Sequence, residues 1–264
     1  MISAGRYAIY TLETLRLRWA RWRVQVSAMN YTSWGRIEPC VSVLIPTFNR
    51  KELLLSRALP SVLNQTYTNL EVIVACHGCT DGTQEAVLVD PRVRVLDVPR
   101  TQTYPPTAEN HWLAGPVVPL NAALEAATGD WLARIDDDDE WYPDHIEHLL
   151  KAARGFEFVS SAYRKVEDGV DYIIWSDHMA PPIGGTQTWL WRSYLRFMKW
   201  NPDCWRKSWN RVNDTDLAER MRRAGVRIGY SPRVTAAIRP RPGEKVGSRA
   251  YLDNAAEIEK KYAF

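Results

Sequence analysis

A chain of 264 residues, 45% hydrophobic and 25% charged, can bury a full core and reads as one large α/β domain or two small ones. A net charge of +3 is too mild to imply nucleic acid as a partner. Four cysteines (Cys40, Cys76, Cys79 and Cys204) and no signal-peptide pattern exclude a disulfide-dense secreted scaffold and point to a reducing, cytoplasmic setting.

Residues 1–38 differ from the rest. Between Tyr7 and Met29, apolar residues recur at helical spacing (Ile9, Leu12, Leu15, Trp19, Trp22), interleaved with Arg16, Arg18, Arg21 and Arg23. Six arginines against two glutamates give this segment a net charge of +4, leaving the remainder about neutral. No uncharged stretch is long enough to span a bilayer. The segment reads as a basic amphipathic helical appendage. Its Leu/Trp stripe either packs on its own domain or a second copy, or lies on an anionic membrane at the inner face.

From Cys40 onward the pattern is strand, loop, helix in repetition. Residues 41–45 and 70–75 read as buried strands, 51–63 and 83–89 as helices, and 93–96 as a third strand. Residues 104–107 mark an irregular loop. An Ala-rich helix over 120–128 ends at Gly129, and Trp131 to Ile135 form a strand that delivers Asp136, Asp137, Asp138 and Asp139. Such alternation predicts a mostly parallel sheet covered by helices, with the ligand at the carboxyl ends of the strands. Thr47, Asn49, the loop from Cys76 to Asp81 and the aspartates all fall at such ends.

Four adjacent carboxylates stay ionised only if a cation or strong donors compensate them. Mg²⁺ or Mn²⁺ holding a diphosphate does both. The bland alternative is an acidic turn capping the helix that begins near Pro143. For Asp139 the cap comes first, with support of the metal second.

Taken in order, Val41-Ser42-Val43-Leu44-Ile45-Pro46-Thr47-Phe48-Asn49-Arg50, Ser61-Val62-Leu63-Asn64-Gln65-Thr66-Tyr67, Glu71-Val72-Ile73-Val74, Gly78-Cys79-Thr80-Asp81-Gly82-Thr83 and Asp136-Asp137-Asp138-Asp139 resemble the signature of family 2 glycosyltransferases. The resemblance implies a GT-A fold, a Rossmann-like, mostly parallel sheet flanked by helices, here with the N-terminal helix appended. The domain would run over 39–264, with a nucleotide-sugar-binding half (39–140) and an acceptor-binding half (141–264). It further implies a divalent cation, Mn²⁺ or Mg²⁺, and inverting transfer from a nucleotide-diphosphate sugar. A UDP-sugar is favoured, with GDP and dTDP left open, and the acceptor is a saccharide or lipid-linked saccharide.

By the same resemblance Pro46 and Thr47 lie against the base and Asp136 near the ribose, with Asn49, Cys76, His77 and Asp137 completing the donor site; Arg134, on the strand before the aspartates, either reaches the donor or faces the surface. Asp136 and Asp138 are the metal ligands. Cys76-His77 stands where the family has two aspartates, so base reading shifts to backbone groups or His77. The spacing Cys76-x-x-Cys79 also matches a redox or zinc pair, but further zinc ligands are missing from the sequence around it.

In the second half, Asn213-Asp214-Thr215-Asp216-Leu217 resembles the family's acidic motif at a helix start, with Asp214 matching the base and Asn213 replacing a glutamate. The alternative for Asp214 is an N-cap, with Asp216 then a surface residue complementing the helix dipole. Gly184-Gly185 entering an aromatic stretch with Trp189 and Trp191 suits close approach of a sugar or a plain hairpin. Gly185, Trp189, Trp191 and Asp216 are therefore the candidate acceptor contacts. Trp200, Trp205 and Trp209, mixed with Lys199, Arg206, Lys207 and Arg211, suit an acceptor surface or core packing. A stiff basic loop at 239–245 suits a lid before a helix at 248–262. His111, His145, His148 and His178 read as structural or exposed.

Two other functions fit the residues less well: a silent sugar-nucleotide-binding scaffold, and a nucleotidyltransferase. The latter would carry a phosphate-binding Gly/Lys/Arg loop where Pro46-Thr47-Phe48-Asn49 stands.

Overall fold

The computed structural model describes residues 4–28, 38–100, 107–167, 169–207 and 211–239. The chain opens with helix α1 (Ala4–Ala28) and enters the sheet at β1 (Val41–Thr47). Residues 51–63 form one helical run, α2 (Lys51–Leu53) and α3 (Leu59–Leu63) joined by a π-helical turn over Leu54–Ala58. β2 (Leu70–His77), the short α4 (Thr83–Ala86) and β3 (Val93–Val98) follow, then α5 (Ala108–Ala114), α6 (Val117–Ala126) and β4 (Trp131–Arg134). The remainder comprises β5 (Asp139–Trp141), α7 (His145–Ala152), β6 (Phe158–Glu167), β7 (Val170–Ile174), β8 (Leu190–Arg192), α8 (Asn213–Arg223) and β9 (Ile228–Ile238).

The strands make one sheet in the order β3-β2-β1-β4-β8-β6-β9-β5, with β7 paired to β6. The first four are parallel, as the alternation predicts. β8 then runs antiparallel to both β4 and β6, and β6 and β9 are parallel again. The chain proceeds from β1 to β2 on one side and returns to β4 on the other. The crevice above β1 and β4 is thus a topological switch point, where such sheets bind ligands.

β1 is buried along its whole length, as a strand covered on both faces must be. Val43 and Ile45 pack with Leu54, Leu59, Val62, Ile146 and Leu149 on one side. Leu44 packs with Leu120, Ala123, Leu124 and Leu132 on the other. Gly129 connects α6 to β4 so tightly that a Cβ there would lie 2.8 Å from the Ser42 amide nitrogen.

α1 docks on its own domain, but not through the predicted stripe. Its inward face carries Glu13, Thr14, Leu17, Arg21 and Gln25. Leu17 packs on the second core cluster and Glu13 pairs with Arg223 at 2.7 Å. Arg21 (2.5 Å) and Gln25 (2.8 Å) both bond the fully buried Glu157 carboxylate, which also accepts from the Tyr194 hydroxyl and the Arg227 amide. Leu12, Leu15, Trp19 and Trp22 face solvent. Ion pairs and hydrogen bonds on the polar flank decided the docking.

Burial acts to raise the Glu157 carboxyl, but Arg21, the Arg227 amide and Tyr194 outweigh it and hold the group below its ordinary value. The folded-state value being depressed, this contribution is complete above the ordinary glutamate range and is lost as pH falls through the folded value. Acid should therefore destabilise the parent more than Glu157→Gln, and the stability difference between them should narrow below about pH 4. Urea midpoints of both proteins across that range check this.

Candidate functional site

The ends of β1, β2 and β4, the second half of α5, the start of α6 and the first turn of α8 surround a cleft of about 260 Å³, open to solvent. Its lining includes Pro46, Thr47, Phe48, Arg50, His77, Arg100, His111, Arg134, Asp136, Asp137, Asp138, Thr186, Asn213 and Asp214. Three sequence-distant loops converge there, as expected.

The aspartates are compensated first by arginines. Asp137 is 3% exposed and accepts from Thr47 Oγ1 at 2.8 Å and Arg50 Nη1 at 3.0 Å. Arg50 also lies 4.0 Å from Asp138. Asp136 pairs with Arg134 at 2.7 Å, and the Arg57 guanidinium on the π-helical turn donates to the Asp138 carbonyl at 3.4 Å. Asp139 belongs to β5, opposite Ile238, and is buried. It does not cap α7, whose N-cap is Asp144, so the expected cap is corrected.

Arg134 is 3% exposed, and among the described residues its Nε and Nη1 have no hydrogen-bond partner. A buried guanidinium with two idle donors costs free energy unless something fills them. Its position in the cleft wall makes an anionic ligand group the natural partner. The side chain is not surface-facing.

The loops are held by local chemistry. Asn49 sits at φ +50°, a left-handed conformation Asn tolerates, and its Oδ1 accepts from the Thr80 amide at 2.8 Å. It braces the β1 and β2 loops rather than lining the cleft. Gly78 sits at φ +65°, with Arg100 against it. The Arg100 guanidinium lies 4.5 Å over the Phe48 ring, and both line the cleft.

His77 lines the cleft; Cys76, fully buried, does not. Cys76 hydrogen-bonds Cys79, which raises the Cys76 thiol, with burial adding to the shift. The same bond lowers the Cys79 thiol. Cys79 Sγ also contacts the Thr47 carbonyl at 3.7 Å. His111, read from sequence as structural, lines the cleft and is kept neutral by burial and by Arg100, His77 and Arg50, with its value lowered to about 3. His145 and His148 are structural, bonded to Thr235 at 2.7 Å and Ser231 at 2.8 Å.

On the other half, Asp214 lies in the first turn of α8 and lines the cleft. Its Oδ1 accepts from the Thr215 amide at 2.7 Å and the Thr215 hydroxyl at 3.3 Å. The N-cap is Val212. Asn213 is buried beside it and donates to the Leu113 carbonyl at 3.0 Å.

The structure does not bring the proposed acceptor contacts to the cleft. Trp189 and Trp191 are each 2% exposed, in the core with Phe158 and Trp200. β8 lies between β4 and β6, so its side chains have packed neighbours on both flanks. Gly185 faces the Tyr163 ring, and Gly184 the Ser161 backbone, so the glycines admit the protein's own chain. Asp216 is fully buried in ion pairs with Lys207 and Arg220 and is no surface residue. Trp209, the 240–245 part of the basic loop and the helix at 248–262 lie outside the described residues. Arg50, Phe48, Arg100, His111 and Thr186 were not singled out as site residues. Phe48 and Arg50, both inside the stretch from Val41 to Arg50, carried a signal.

Oxygen donors from Asp136 and Asp138 suit a hard divalent cation and leave coordination positions open. Among the described residues no group of three His, Cys, Asp or Glu side chains is arranged to hold an ion alone. By donor chemistry alone, two carboxylates are a partial set that further oxygen ligands would have to complete.

A profile of the family described as Glycosyl transferase family 2 matches residues 42–217. The chain is 32% identical over 136 residues to the putative colanic acid biosynthesis glycosyl transferase WcaA of Escherichia coli (strain K12), a match covering 50% of this chain and 43% of that protein. It is 31% identical over 126 residues to the GalNAc(5)-diNAcBac-PP-undecaprenol beta-1,3-glucosyltransferase of Campylobacter jejuni, covering 46% and 37%. The matches thus span less than half the length of these relatives. Among solved structures it resembles the mannosyltransferase PcManGT from Pyrobaculum calidifontis in complex with GDP-Man and Mn²⁺ (TM-score 0.57, 20% identity, 94% of this chain and 68% of that one). It also resembles S. aureus TarS 1-349 in complex with UDP-GlcNAc (TM-score 0.57, 18% identity, 78% and 60%).

Proposed function

Because the chain belongs to glycosyl transferase family 2 and has the GT-A fold, we propose that it transfers a sugar, with inversion, from a nucleotide-diphosphate sugar to an acceptor hydroxyl. The observation that carries this reading is one cleft uniting the β1 and β2 loop ends, a buried Arg134 with two idle donors, Asp136 to Asp138, and Asp214.

Phe48, His77 and Arg100 offer the base an aromatic face, an imidazole and a guanidinium. Arg134 turns its free nitrogens to the diphosphate. Asp136 and Asp138 would hold Mn²⁺ or Mg²⁺, which when bound supplies Lewis-acid neutralisation of the leaving diphosphate. Asp137, locked by Thr47 and Arg50, keeps the aspartate turn in shape. The acceptor oxygen attacks the anomeric carbon, its proton passes to the Asp214 carboxylate, and the anomeric carbon–oxygen bond breaks with its electron pair leaving on the nucleoside diphosphate.

A UDP-sugar donor is favoured. One structural neighbour carries UDP-GlcNAc and another GDP-Man, so GDP stays open beside dTDP. The acceptor is a saccharide or lipid-linked saccharide in glycan biosynthesis, in keeping with the names of the relatives, and the reaction runs in the cytoplasm or at the inner face of the membrane. Among the described residues no helix is long and apolar enough to cross a membrane.

Calorimetric titration with UDP, GDP, dTDP and CDP, each with Mn²⁺ and again with EDTA, tests the reading. One of them should bind at least about tenfold more tightly with Mn²⁺, and Asp138→Ala should abolish that difference. Binding of none by folded protein would favour a silent scaffold. Undiminished metal dependence in the variant would remove Asp138 from the metal site.

A further inference from the structure

The face of α1 turned away from the domain has its own composition. Leu12, Leu15, Trp19, Trp22 and Val26 follow one another at steps of three and four, and are 56%, 58%, 58%, 59% and 47% exposed. At about 100° per residue they share one arc, opposite the docked Leu17 and Arg21. The stripe runs about 21 Å along the helix, at about 1.5 Å per residue. Exposed Arg16 and Arg23 border it on one side; on the other, Arg18 turns back to the domain and donates from Nε to the Arg223 carbonyl at 3.1 Å. The acid of this helix, Glu13, lies on the docked side, bonded to Arg223.

We infer that this face is a docking surface for an anionic lipid bilayer. The two indoles and three aliphatic side chains sink to the boundary between headgroups and acyl chains, while Arg16 and Arg23 pair with lipid phosphates. The helix lies in the plane of the surface and does not cross it. The charge pattern argues against a second copy. Two such faces brought together would add the Arg16 and Arg23 charges of both copies with no carboxylate among them, whereas an anionic membrane supplies the missing charge. The ion pairs of Glu13 and Arg21 fix the helix so that the stripe points outward, which a stripe meant for the core would not need.

The inference does not rest on the transferase reading, because membrane binding is measured without donor or acceptor. Co-flotation of the full chain with phosphatidylcholine vesicles, with and without phosphatidylglycerol, tests it. The anionic vesicles should be preferred by about tenfold or more, an advantage that shrinks as salt is raised. Trp19→Ser/Trp22→Ser should weaken that binding by about tenfold or more, and Arg16→Gln/Arg23→Gln should abolish most of the preference for anionic lipid. All four side chains are exposed, so thermal midpoints should match the parent and separate lost docking from lost folding. Equal binding by parent and both variants overturns the inference, as does no binding to anionic vesicles. It is also overturned if light scattering finds a dimer that Trp19→Ser/Trp22→Ser dissolves while vesicles are ignored.

Discussion

Asp214→Asn is expected to slow sugar transfer by about 10²–10⁴-fold while leaving nucleoside-diphosphate affinity unchanged. Asparagine keeps the side-chain shape and can still accept from the Thr215 amide and hydroxyl, which hold Asp214 Oδ1 at 2.7 and 3.3 Å. It cannot take a proton from an attacking hydroxyl. The loss should therefore fall on turnover rather than on donor binding, since the donor's base and diphosphate are assigned to residues of the other half of the cleft. Release of nucleoside diphosphate at saturating donor and acceptor, together with calorimetry on the same preparation, checks both halves of the prediction. An undiminished rate would remove Asp214 from the chemistry, and a loss of binding in step with rate would recast it as a donor contact.

Asp216→Ala should act on the fold instead. Asp216 is fully buried, pairs with Lys207, and bonds Arg220 Nε at 2.9 Å. Arg220 in turn donates to the Lys199 carbonyl at 2.8 Å, tying α8 to the segment before Trp200. Removing the carboxylate leaves two cations facing each other in a low-dielectric pocket, a change that costs about 3–5 kcal/mol. For a domain of this size the thermal midpoint should drop by on the order of 10 °C. A shift within about 2 °C would mean that water reaches the cations and the triad contributes little.

The different fates of Asp214 and Asp216 also mark what a sequence can convey. Two residues apart on a helix, they point to nearly opposite sides, so one reaches the cleft and the other the core. The spacing says that they separate; it does not say which side is the core. The parallel strands and the aspartate turn were legible because their signals are local: apolar runs of strand length, punctuated by Pro46, Gly129 and the acidic cluster itself. Trp189 and Trp191 were not. A tryptophan that stacks on a sugar and one that fills a core look alike until β8 is known to lie between β4 and β6, a pairing set by partners far along the chain. Arg134 illustrates a third case, since its place on the strand was readable but its two idle nitrogens follow only from how its surroundings pack.

Glu157 has a bearing on modularity. The family profile matches from residue 42, yet Glu157, well inside that stretch, takes two of its hydrogen bonds from Arg21 and Gln25, well before it. The edge of that match and the edge of the packed structure do not coincide. A domain cut at residue 42 would leave Glu157 without two of the four hydrogen bonds it accepts from Arg21, Gln25, Tyr194 and the Arg227 amide. The unit that melts as one reaches back through α1, and whatever pulls on that helix pulls on the rim of the sheet.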